Sequence, residues 1–396
     1  MTVSTTAPAS PLVGDNSPLN ATDQALIARL NEEESAHIAG LPSDDPNDPR
    51  RQRRVGFTLP EILDQPTCIE NTVKGHREAI RTTAQSIAKT GFTRIVMTGC
   101  GDSLAVHEAV RSLMEMMTGV PCEPVQALEL AYYQNRFIDA QTLVVGLSSS
   151  GWTPRTLEGM LLAKQQGASL LALTNTAGSA ITDISDYTLM IEAQRKGWPT
   201  QSSTAAIALL AQLALDIGAA KGLTGDRITH WQQELDTMPA TISKVLETIG
   251  SGVETLAHEL SGAPMVLFTG AGPSNAAARF GAAKIKECTS GHALAIPLEE
   301  FHHYTSIKPG EPLFIVAPSG PLQSRALDTA RRTKVWHGRP FGILDASNTL
   351  LAGECEQSFV MPPVSEELSS LIYSLPVQVL AVHMALKEFE AASAND

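Results

Sequence analysis

Residues 94–103, RIVMTGCGDS, decide the fold that we expect for this chain. A run of β-branched and apolar residues leads into two closely spaced glycines, and a helical apolar pattern over residues 105–117 follows. Glycine permits the sharp turn that joins a strand to a helix, and we expect Asp102 or Ser103 to cap that helix. The free amide groups at the start of a helix attract an anion, so this motif is a candidate binding site.

The same pattern recurs in the second half of the chain, where VLFTGAGPS occupies residues 266–274. Thr98 and Thr269, the equivalent residues of the two motifs, lie 171 positions apart. Three further predicted strands recur close to this offset, pairing Leu143–Val145 with Leu313–Val316, Leu170–Leu173 with Phe341–Leu344, and Thr188–Met190 with Phe359–Met361. Four strands at one offset predict a tandem duplication.

In each half, short apolar strands alternate with longer helical patterns. This alternation predicts an α/β fold in which a parallel sheet carries helices on both faces. Ligands of such sheets bind at the carboxyl ends of the strands, where the glycine motifs lie. We predict a partly disordered N-terminal extension over residues 1–57, one domain over 58–226 and a second over 227–396.

The N-terminal extension contains one predicted helix and one predicted linker. Apolar residues recur at helical spacing over residues 20–39, and Thr22 is a possible N-cap. Residues 42–54 join an acidic, proline-rich stretch to the basic run PRRQRR, a pattern typical of a solvated linker. We expect the folded body to begin near Thr58.

Composition and charge argue against several classes of protein. The 396 residues include 29 Lys and Arg against 42 Asp and Glu, and the net charge of −13 disfavours binding to nucleic acid. No secretory signal is evident, and the apolar stretch Ala205–Ala220 is too short for a membrane span, so we interpret it as a buried helix. The 5 cysteines form no CxxC pair and no cluster has metal-ligand spacing. We expect a cytoplasmic protein without a metal or cofactor.

A second candidate site is SSSGWT, residues 148–153, directly after a predicted strand. Ser148, Ser149, Ser150 and Thr153 supply four hydroxyls at the start of a helix, and hydroxyls together with helix amides can hold a phosphate group. The alternative is a capping arrangement in which Ser150 or Thr153 satisfies free amides. So many hydroxyls in so short a segment favour the phosphate interpretation.

A third candidate site combines KIKE, residues 284–287, with the histidines that follow. A carboxylate and an imidazole at one cleft can divide the roles of base and acid at neutral pH, which makes Glu287 and His303 the candidates. Lys284, one helical turn before Glu287, could hold that carboxylate ionised or contact an oxyanion. The alternative is a surface Lys–Glu pair with solvated histidines. For Lys286 we accept this surface interpretation.

Nucleophilic catalysis is not favoured by any motif. The chain has no GxSxG elbow of the kind that serine hydrolases carry. Cys100 lies at a helix N-terminus, where thiols become acidic, but it has no evident histidine partner in the sequence. We therefore interpret Cys100 as a structural cysteine.

Together, TGCGDS, SSSGWT and KIKECTSGHALAIPLEEFHH resemble the motifs of the tandem SIS (sugar isomerase) domain family. The family includes the isomerase half of glucosamine-6-phosphate synthase, stand-alone sugar-phosphate isomerases and fructosamine-6-phosphate deglycases. The resemblance covers residues 58–386 and implies two three-layer αβα, flavodoxin-like domains. It also implies an anionic sugar as ligand and a homodimer with a shared active site, because family members use a histidine from the neighbouring subunit.

The resemblance implies a role for each residue that matches a family motif. The catalytic glutamate of the KxKE pattern falls on Glu287, with Lys284 before it, and the ring-opening histidine falls on His303. Eight residues would contact the sugar or its 6-phosphate, namely Cys100, Gly101, Ser103, Ser148, Ser150, Thr153, Ser203 and Thr204.

Two departures from the family pattern bear on activity. The glutaminase domain of the synthase has no counterpart in this sequence, so we expect no glutamine amidotransferase activity. Ala205 stands where the synthase carries a lysine after the Ser-Thr pair, so we expect no Schiff base from that position. Proton transfer by Glu287 with ring opening by His303 does not need a Schiff base.

Three functions stay open. The first is an aldose–ketose isomerase that moves a proton between C1 and C2 of a 6-phosphorylated sugar. The second is a deglycase, in which C1 carries an amino-acid nitrogen that is expelled after the same proton transfer. The third is a sugar-phosphate sensor without turnover, which the presence of both Glu287 and His303 disfavours. The motifs are compatible with a phosphate or with another C6 anion such as a sulfonate.

Overall fold

The structure is a computed structural model that describes residues 18–304 and 306–394. The strands of the first half are β1 Arg94–Gly99, β2 Cys122–Gln126, β3 Thr142–Leu147, β4 Ser169–Thr174 and β5 Tyr187–Met190. Those of the second half are β6 Met265–Gly270, β7 His292–Pro297, β8 Pro312–Ala317, β9 Arg339–Asp345 and β10 Gln357–Met361.

Helices precede each sheet and connect its strands. Those of the first half are α1 Ala21–Ala39, α2 Pro49–Leu63, α3 Gln65–Gly75, α4 Arg77–Lys89, α5 Asp102–Thr118, α6 Ala127–Glu129, α7 Pro154–Gln165, α8 Ala180–Ile184 and α9 Gln201–Ala220. Those of the second half are α10 Asp226–Leu260, α11 Pro273–Cys288, α12 Gln323–Val335, α13 Thr349–Glu354, α14 Ser370–Tyr373 and α15 Leu375–Ser393.

Both sheets are parallel and have the same strand order. The order is β2-β1-β3-β4-β5 in the first sheet and β10-β9-β8-β6-β7 in the second, which is the same order from the opposite edge. The register is repeated as well: Ile95 pairs with Cys122, and Val266 pairs with Ala293, each 171 positions later. The predicted α/β fold and the duplication are confirmed, and the order is that of a flavodoxin-like sheet.

The two halves share one hydrophobic core. Leu113 of α5, Leu209 of α9, Phe280 of α11 and Leu380 of α15 are all buried in it. Burial of such side chains stabilises the fold by about 1.5–3 kcal/mol each. Because α5 and α11 begin at the glycine motifs of the two halves, their packing brings the carboxyl ends of both sheets toward one another.

Two segments are long and apolar enough to cross a membrane by length and composition, but both lie in the core. The apolar stretch of 18 residues is 89% buried inside the fold in α9 and 83% buried in Ser370–Ser393. This is the pattern of a core helix, and it confirms that Ala205–Ala220 is a buried helix.

The N-terminal extension differs from the prediction. The N-cap of α1 is Asn20, whose side chain accepts a hydrogen bond from Asp23 N, so Thr22 is not the cap. The basic run is not a solvated linker, because it lies in α2, and Arg51 is only 2% exposed. The folded body therefore begins well before Thr58. The predicted disorder at the N-terminus falls mostly on residues 1–17, outside the described residues.

Candidate active site

A buried lysine joins the two halves of the molecule at the carboxyl ends of their sheets. Lys284 of α11 is 1% exposed, and its Nζ lies 2.9 Å from a carboxylate oxygen of Asp102, the first residue of α5. The same ammonium forms an ion pair and a hydrogen bond with Glu287, one turn further along α11. One ammonium thus holds two carboxylates at a single point.

The pKa values of Lys284 and Glu287 are both raised in this arrangement. Burial opposes the charge of Lys284, but attraction by Asp102 and Glu287 outweighs it and raises the pKa of the ammonium. Burial raises the pKa of Glu287, with Lys284 opposing the rise and the Asp102 charge adding to it. A carboxylate with a raised pKa is a better general base near neutral pH than an ordinary glutamate.

Glu287 forms one wall of a cavity of about 300 Å³, which we call the inner cavity. Its other lining residues come from the first glycine motif and α5, from the end of β3 and the loop after it, and from the segment around the start of α9, namely Cys100, Gly101, Asp102, Ser103, Val106, Leu147, Ser149, Pro199, Ser202 and Ser203. The structure therefore brings Glu287 together with five of the predicted ligand-binding residues. Gly101 turns the chain at this point with a φ of 56°, in the left-handed region that glycine tolerates.

The predicted cap of α5 is wrong. Gly101 occupies the N-cap position, and within the described residues no side chain caps this helix. The Asp102 carboxylate instead faces Lys284, and it accepts a hydrogen bond of 3.4 Å from Ser203 Oγ. Asp102 is therefore a candidate functional residue that the sequence motif suggested only as a cap.

Residues 148–153, the hydroxyl loop, form a hydrogen-bonded turn at the start of α7. Ser148 Oγ lies 2.8 Å from Thr153 Oγ1 and accepts from the amides of Gly151 at 3.1 Å and Thr153 at 3.4 Å. Ser150 Oγ accepts from Trp152 N at 3.3 Å, and Ser149 Oγ donates to Asn175 at 2.7 Å. The loop thus satisfies several of its own amides, as the capping alternative expects. Contact of its hydroxyls with an anion stays a prediction.

Three neighbouring hydroxyls at the start of α9 point in different directions. Ser203 faces Asp102, whereas Thr204 donates to the carbonyls of Thr200 at 3.3 Å and Gln201 at 3.2 Å, inside its own helix. Ser202 is 5% exposed, and its hydroxyl has no hydrogen-bond partner in the described part of the chain. An unpaired buried hydroxyl that lines a cavity is suited to binding a polar ligand.

The two adjacent histidines have opposite environments. The His302 side chain is only 3% exposed, with Nε2 at 2.7 Å from Thr329 Oγ1, whereas the His303 side chain is 63% exposed and lies 3.6 Å from Glu299. His303 is not among the residues that line the inner cavity of its own chain. The structure therefore does not bring His303 and Glu287 together within one subunit.

Cys100 has the properties of a structural thiol. Its Sγ lies 3.9 Å from Thr156 Oγ1, and burial raises the pKa of the thiol. A thiol that stays protonated is a weak nucleophile. Across residues 18–304 and 306–394, no three His, Cys, Asp or Glu side chains cluster as metal ligands.

The N-terminal segment forms a wall beside Glu287 that sequence analysis did not find. The Arg51 guanidinium donates to Cys288 O at 2.9 Å and pairs with Glu388 at 3.2 Å. Arg54 stacks on the Trp198 ring at 3.6 Å, and Trp198 N donates to Thr58 Oγ1 at 2.9 Å. These contacts join residues far apart in the chain, so no local pattern could have indicated them.

The comparisons agree on one family. A family model described as the SIS domain matches residues 87–216 and 259–387. The isomerizing glutamine–fructose-6-phosphate aminotransferase of Thermococcus kodakarensis is 29% identical over 335 residues, which cover 83% of this chain and 55% of that protein. The chain therefore spans about half the length of this relative.

Solved structures show the same fold. The C-terminal domain of glucosamine-fructose-6-phosphate aminotransferase from Francisella tularensis has a TM-score of 0.75 at 23% identity, covering 84% of this chain and 96% of that one. The tagatose-6-phosphate ketose/aldose isomerase from Escherichia coli has a TM-score of 0.69 at 20% identity, covering 84% of this chain and 92% of that one. At these identities the likeness is one of fold alone.

Proposed function

This chain belongs to the SIS-domain family, and we propose that it is an aldose–ketose isomerase that transfers a proton between C1 and C2 of a 6-phosphorylated sugar. The observation that carries the proposal is the Glu287 carboxylate, held by the buried Lys284 at the wall of the inner cavity. Relatives named for reactions of fructose 6-phosphate and tagatose 6-phosphate support the substrate class.

Each part of the site has a task in this reaction. The hydroxyl loop and the start of α7 bind the phosphate, because free amides and hydroxyls attract an anion. Glu287 removes a proton from the carbon next to the carbonyl and returns it to the neighbouring carbon through an enediol. Lys284 holds that carboxylate in place and moderates its pKa, which Asp102 and burial would otherwise raise further.

Ring opening is assigned to His303, acting in the inner cavity of a second copy of the chain. The exposure of this imidazole supports the assignment, since a buried imidazole such as His302 could not reach another subunit. The assignment makes the active protein a homodimer with a shared active site. An imidazole can both donate a proton to the ring oxygen and accept one from it.

Proton NMR in deuterated water tests the proposal. Fructose 6-phosphate is incubated with the protein, with the Glu287→Gln variant, and with Glu78→Gln, a control on α4 that removes an exposed carboxylate. Deuterium incorporation at C1 or C2 by the wild type and the control, but not by Glu287→Gln, is the expected result. Binding of sugar phosphates without any exchange would support the sensor and contradict the isomerase.

A further inference from the structure

A second cavity lies on the other side of Glu287. This outer cavity of about 360 Å³ shares Gly101, Asp102 and Glu287 with the inner cavity. Its remaining lining residues come from the N-terminal segment, the loop before α9 and helix α11, namely Leu41, Pro42, Ser43, Asp44, Arg51, Trp198, Ala283 and Lys286. The N-terminal segment therefore closes one side of the proposed base.

Helix α2 is fixed against the residue that follows this base. The Arg51 guanidinium donates to Cys288 O at 2.9 Å and to Glu388 at 3.2 Å. Arg54 comes one helical turn after Arg51 in α2, so the two side chains extend from the same side of the helix. The contact of Arg51 with Cys288 thus brings the Arg54 side of α2 to the end of α11.

Arg54 is held in place by an aromatic ring. Its guanidinium carbon lies 3.6 Å from the centre of the Trp198 ring. Trp198 N donates to Thr58 Oγ1 at 2.9 Å, and Gly197 N donates to Glu61 at 3.1 Å, so α2 itself fixes the loop that carries the ring. A Cβ at position 197 would lie 2.7 Å from backbone atoms of Thr58, and the close approach therefore requires glycine.

No carboxylate of the described chain is paired with Arg54. Its guanidinium forms no salt bridge and no hydrogen bond with residues 18–304 or 306–394. Burial lowers the pKa of Arg54, the charge of Glu287 opposes this effect, and Arg195 adds to it. Arginine nevertheless stays protonated in proteins, so the half-buried charge is permanent. Glu287 is the carboxylate that it attracts most strongly.

The charges around the base balance only when Arg54 is counted. Asp102 and Glu287 carry two carboxylates, and Lys284 between them carries one positive charge. Burial raises the pKa of Glu287 and the charge of Asp102 adds to the rise, whereas Lys284 and Arg54 lower it. Without Arg54, one ammonium would face two carboxylates, and the base would take up a proton at a higher pH.

Other ionisable groups near Glu287 do not replace Arg54. Arg51 is paired with Glu388, and Lys286 is exposed to solvent, which screens its charge. The Cys288 thiol stays neutral because burial raises its pKa to about 12. The remaining charged groups beside the base or beside Arg54 are Asp44, Glu61 and Arg195.

The arrangement occurs in one repeat only. The residues 171 positions after Arg54 and Trp198 are Gly225 and Ser369, and the residue 171 positions before Glu287 is Met116. The arginine, the ring and the carboxylate are therefore present together at one of the two equivalent places in the fold.

We propose that Arg54 is a positioning residue of the proton transfer, held on the Trp198 ring so that its permanent charge keeps Glu287 ionised and ready to accept a proton. Arg54 acts through Glu287, and the inference therefore rests on the proposed function. It also gives the N-terminal segment a task, since this segment carries the arginine to the site.

The pH profile of kcat/KM for fructose 6-phosphate tests the inference. Arg54→Met removes the charge and keeps an unbranched side chain over the ring, and we expect the acidic limb to move up by about one pH unit. Arg54→Lys keeps a charge and should return the limb toward that of the wild type. Arg53→Met removes an exposed arginine of the same helix and should not move it. On the alkaline plateau, KM should stay within about twofold of the wild type in all variants.

A second measurement does not depend on turnover. Because the pKa of Glu287 is raised in the folded protein, the wild type should lose stability relative to Glu287→Gln as the pH rises, until Glu287 is fully ionised. Urea unfolding between about pH 5 and 8 measures where this loss ends. With Arg54→Met added to both proteins, the loss should end at a higher pH.

The outcomes separate this inference from the proposed function. If the wild type exchanges the protons of fructose 6-phosphate but neither pH value moves in Arg54→Met, the inference is wrong and the isomerase stands. An equal move in Arg54→Met and Arg54→Lys would show that packing and not charge is responsible, and would also overturn it. If the wild type exchanges no protons, the proposed function fails, and the unfolding measurement alone decides whether Arg54 keeps Glu287 ionised.

Discussion

The Nζ atom of Lys284 lies 2.9 Å from the Asp102 carboxylate, and this contact joins the second repeat to the first at the carboxyl ends of both sheets. Lys284 is buried, so its charge depends on the two carboxylates that face it. The contact places Glu287, on the same helix as Lys284, against a cavity lined mainly by the first repeat. The active site proposed here is therefore an interface between two copies of one fold.

Replacing the proposed base should stop turnover and leave binding largely intact. Glu287→Gln keeps the shape of the side chain and removes its ability to accept a proton, so we expect kcat to fall by about 10²–10⁴-fold. The affinity for fructose 6-phosphate should stay close to that of the wild type. Steady-state kinetics and calorimetry measure the two effects. A folded variant that loses binding and turnover together would contradict the role of base.

The pH dependence of kcat/KM should follow Glu287. The base must be ionised to act, and its pKa is raised, so activity should fall as the pH is lowered through a value above that of an ordinary glutamate. Lys284→Met removes the charge that lowers the pKa of Glu287, and the acidic limb should move to higher pH. Profiles of both proteins between pH 5 and 8 measure this. A limb that moved to lower pH would contradict the pairing.

The hydroxyl loop should contribute to phosphate affinity. Ser148→Ala or Thr153→Ala removes one hydroxyl of the 2.8 Å pair at the start of α7, and we expect each to weaken sugar-phosphate binding by about 1–3 kcal/mol. Ser86→Ala, which removes a partly exposed hydroxyl from α4, is the control. Unchanged affinity in both loop variants would show that these hydroxyls only cap the helix.

Arg51 should be needed to hold the N-terminal segment. Arg51→Ala leaves Cys288 O and the largely buried Glu388 without their cation, and we expect a loss of about 3–5 kcal/mol in the free energy of unfolding. Hydrogen exchange should also rise over residues 41–54. Arg53→Ala removes an exposed arginine from the same helix and should change little. Urea unfolding measures both variants. If Arg51→Ala and Arg53→Ala lowered the free energy of unfolding equally, the anchoring role would be contradicted.

His107 should make the fold sensitive to acid. The imidazole is fully buried in α5, neither ring nitrogen has a partner among the described residues, and burial lowers its pKa to about 3. Because the unfolded chain binds a proton near pH 6.5 and the folded chain does not, stability should be lost as the pH falls from about 6.5 to 3.

A leucine at this position removes the effect. Between pH 6.5 and 5, His107→Leu should lose less stability than the wild type by about 2 kcal/mol. At pH 7 the variant should be at least as stable, since it buries no unpaired nitrogen. Urea unfolding at the two pH values measures the difference. The same acid sensitivity in both proteins would exclude His107 as its source.

Local patterns were enough to predict most strands and the repeat. Buried parallel strands are continuous apolar runs, and β1, β3, β4 and their equivalents have this form. Strand β2 was missed because it is an edge strand that contains Glu123 and Pro124, residues that a central strand excludes. The site motifs were found for the same reason, since each is a short contiguous stretch.

The sequence by itself determined two parallel α/β halves, a glycine turn and a hydroxyl loop at strand ends, and a carboxylate one helical turn after a lysine. Only the tertiary structure decided that Asp102 faces Lys284, that Arg51 reaches Cys288, and that the N-terminal segment closes a second cavity beside Glu287. Strands and turns depend on neighbours within a few residues. The buried ion pair of Lys284 and Asp102 joins two side chains that lie 182 positions apart in the chain. No local sequence pattern predicts such a contact, because folding alone brings the two residues together.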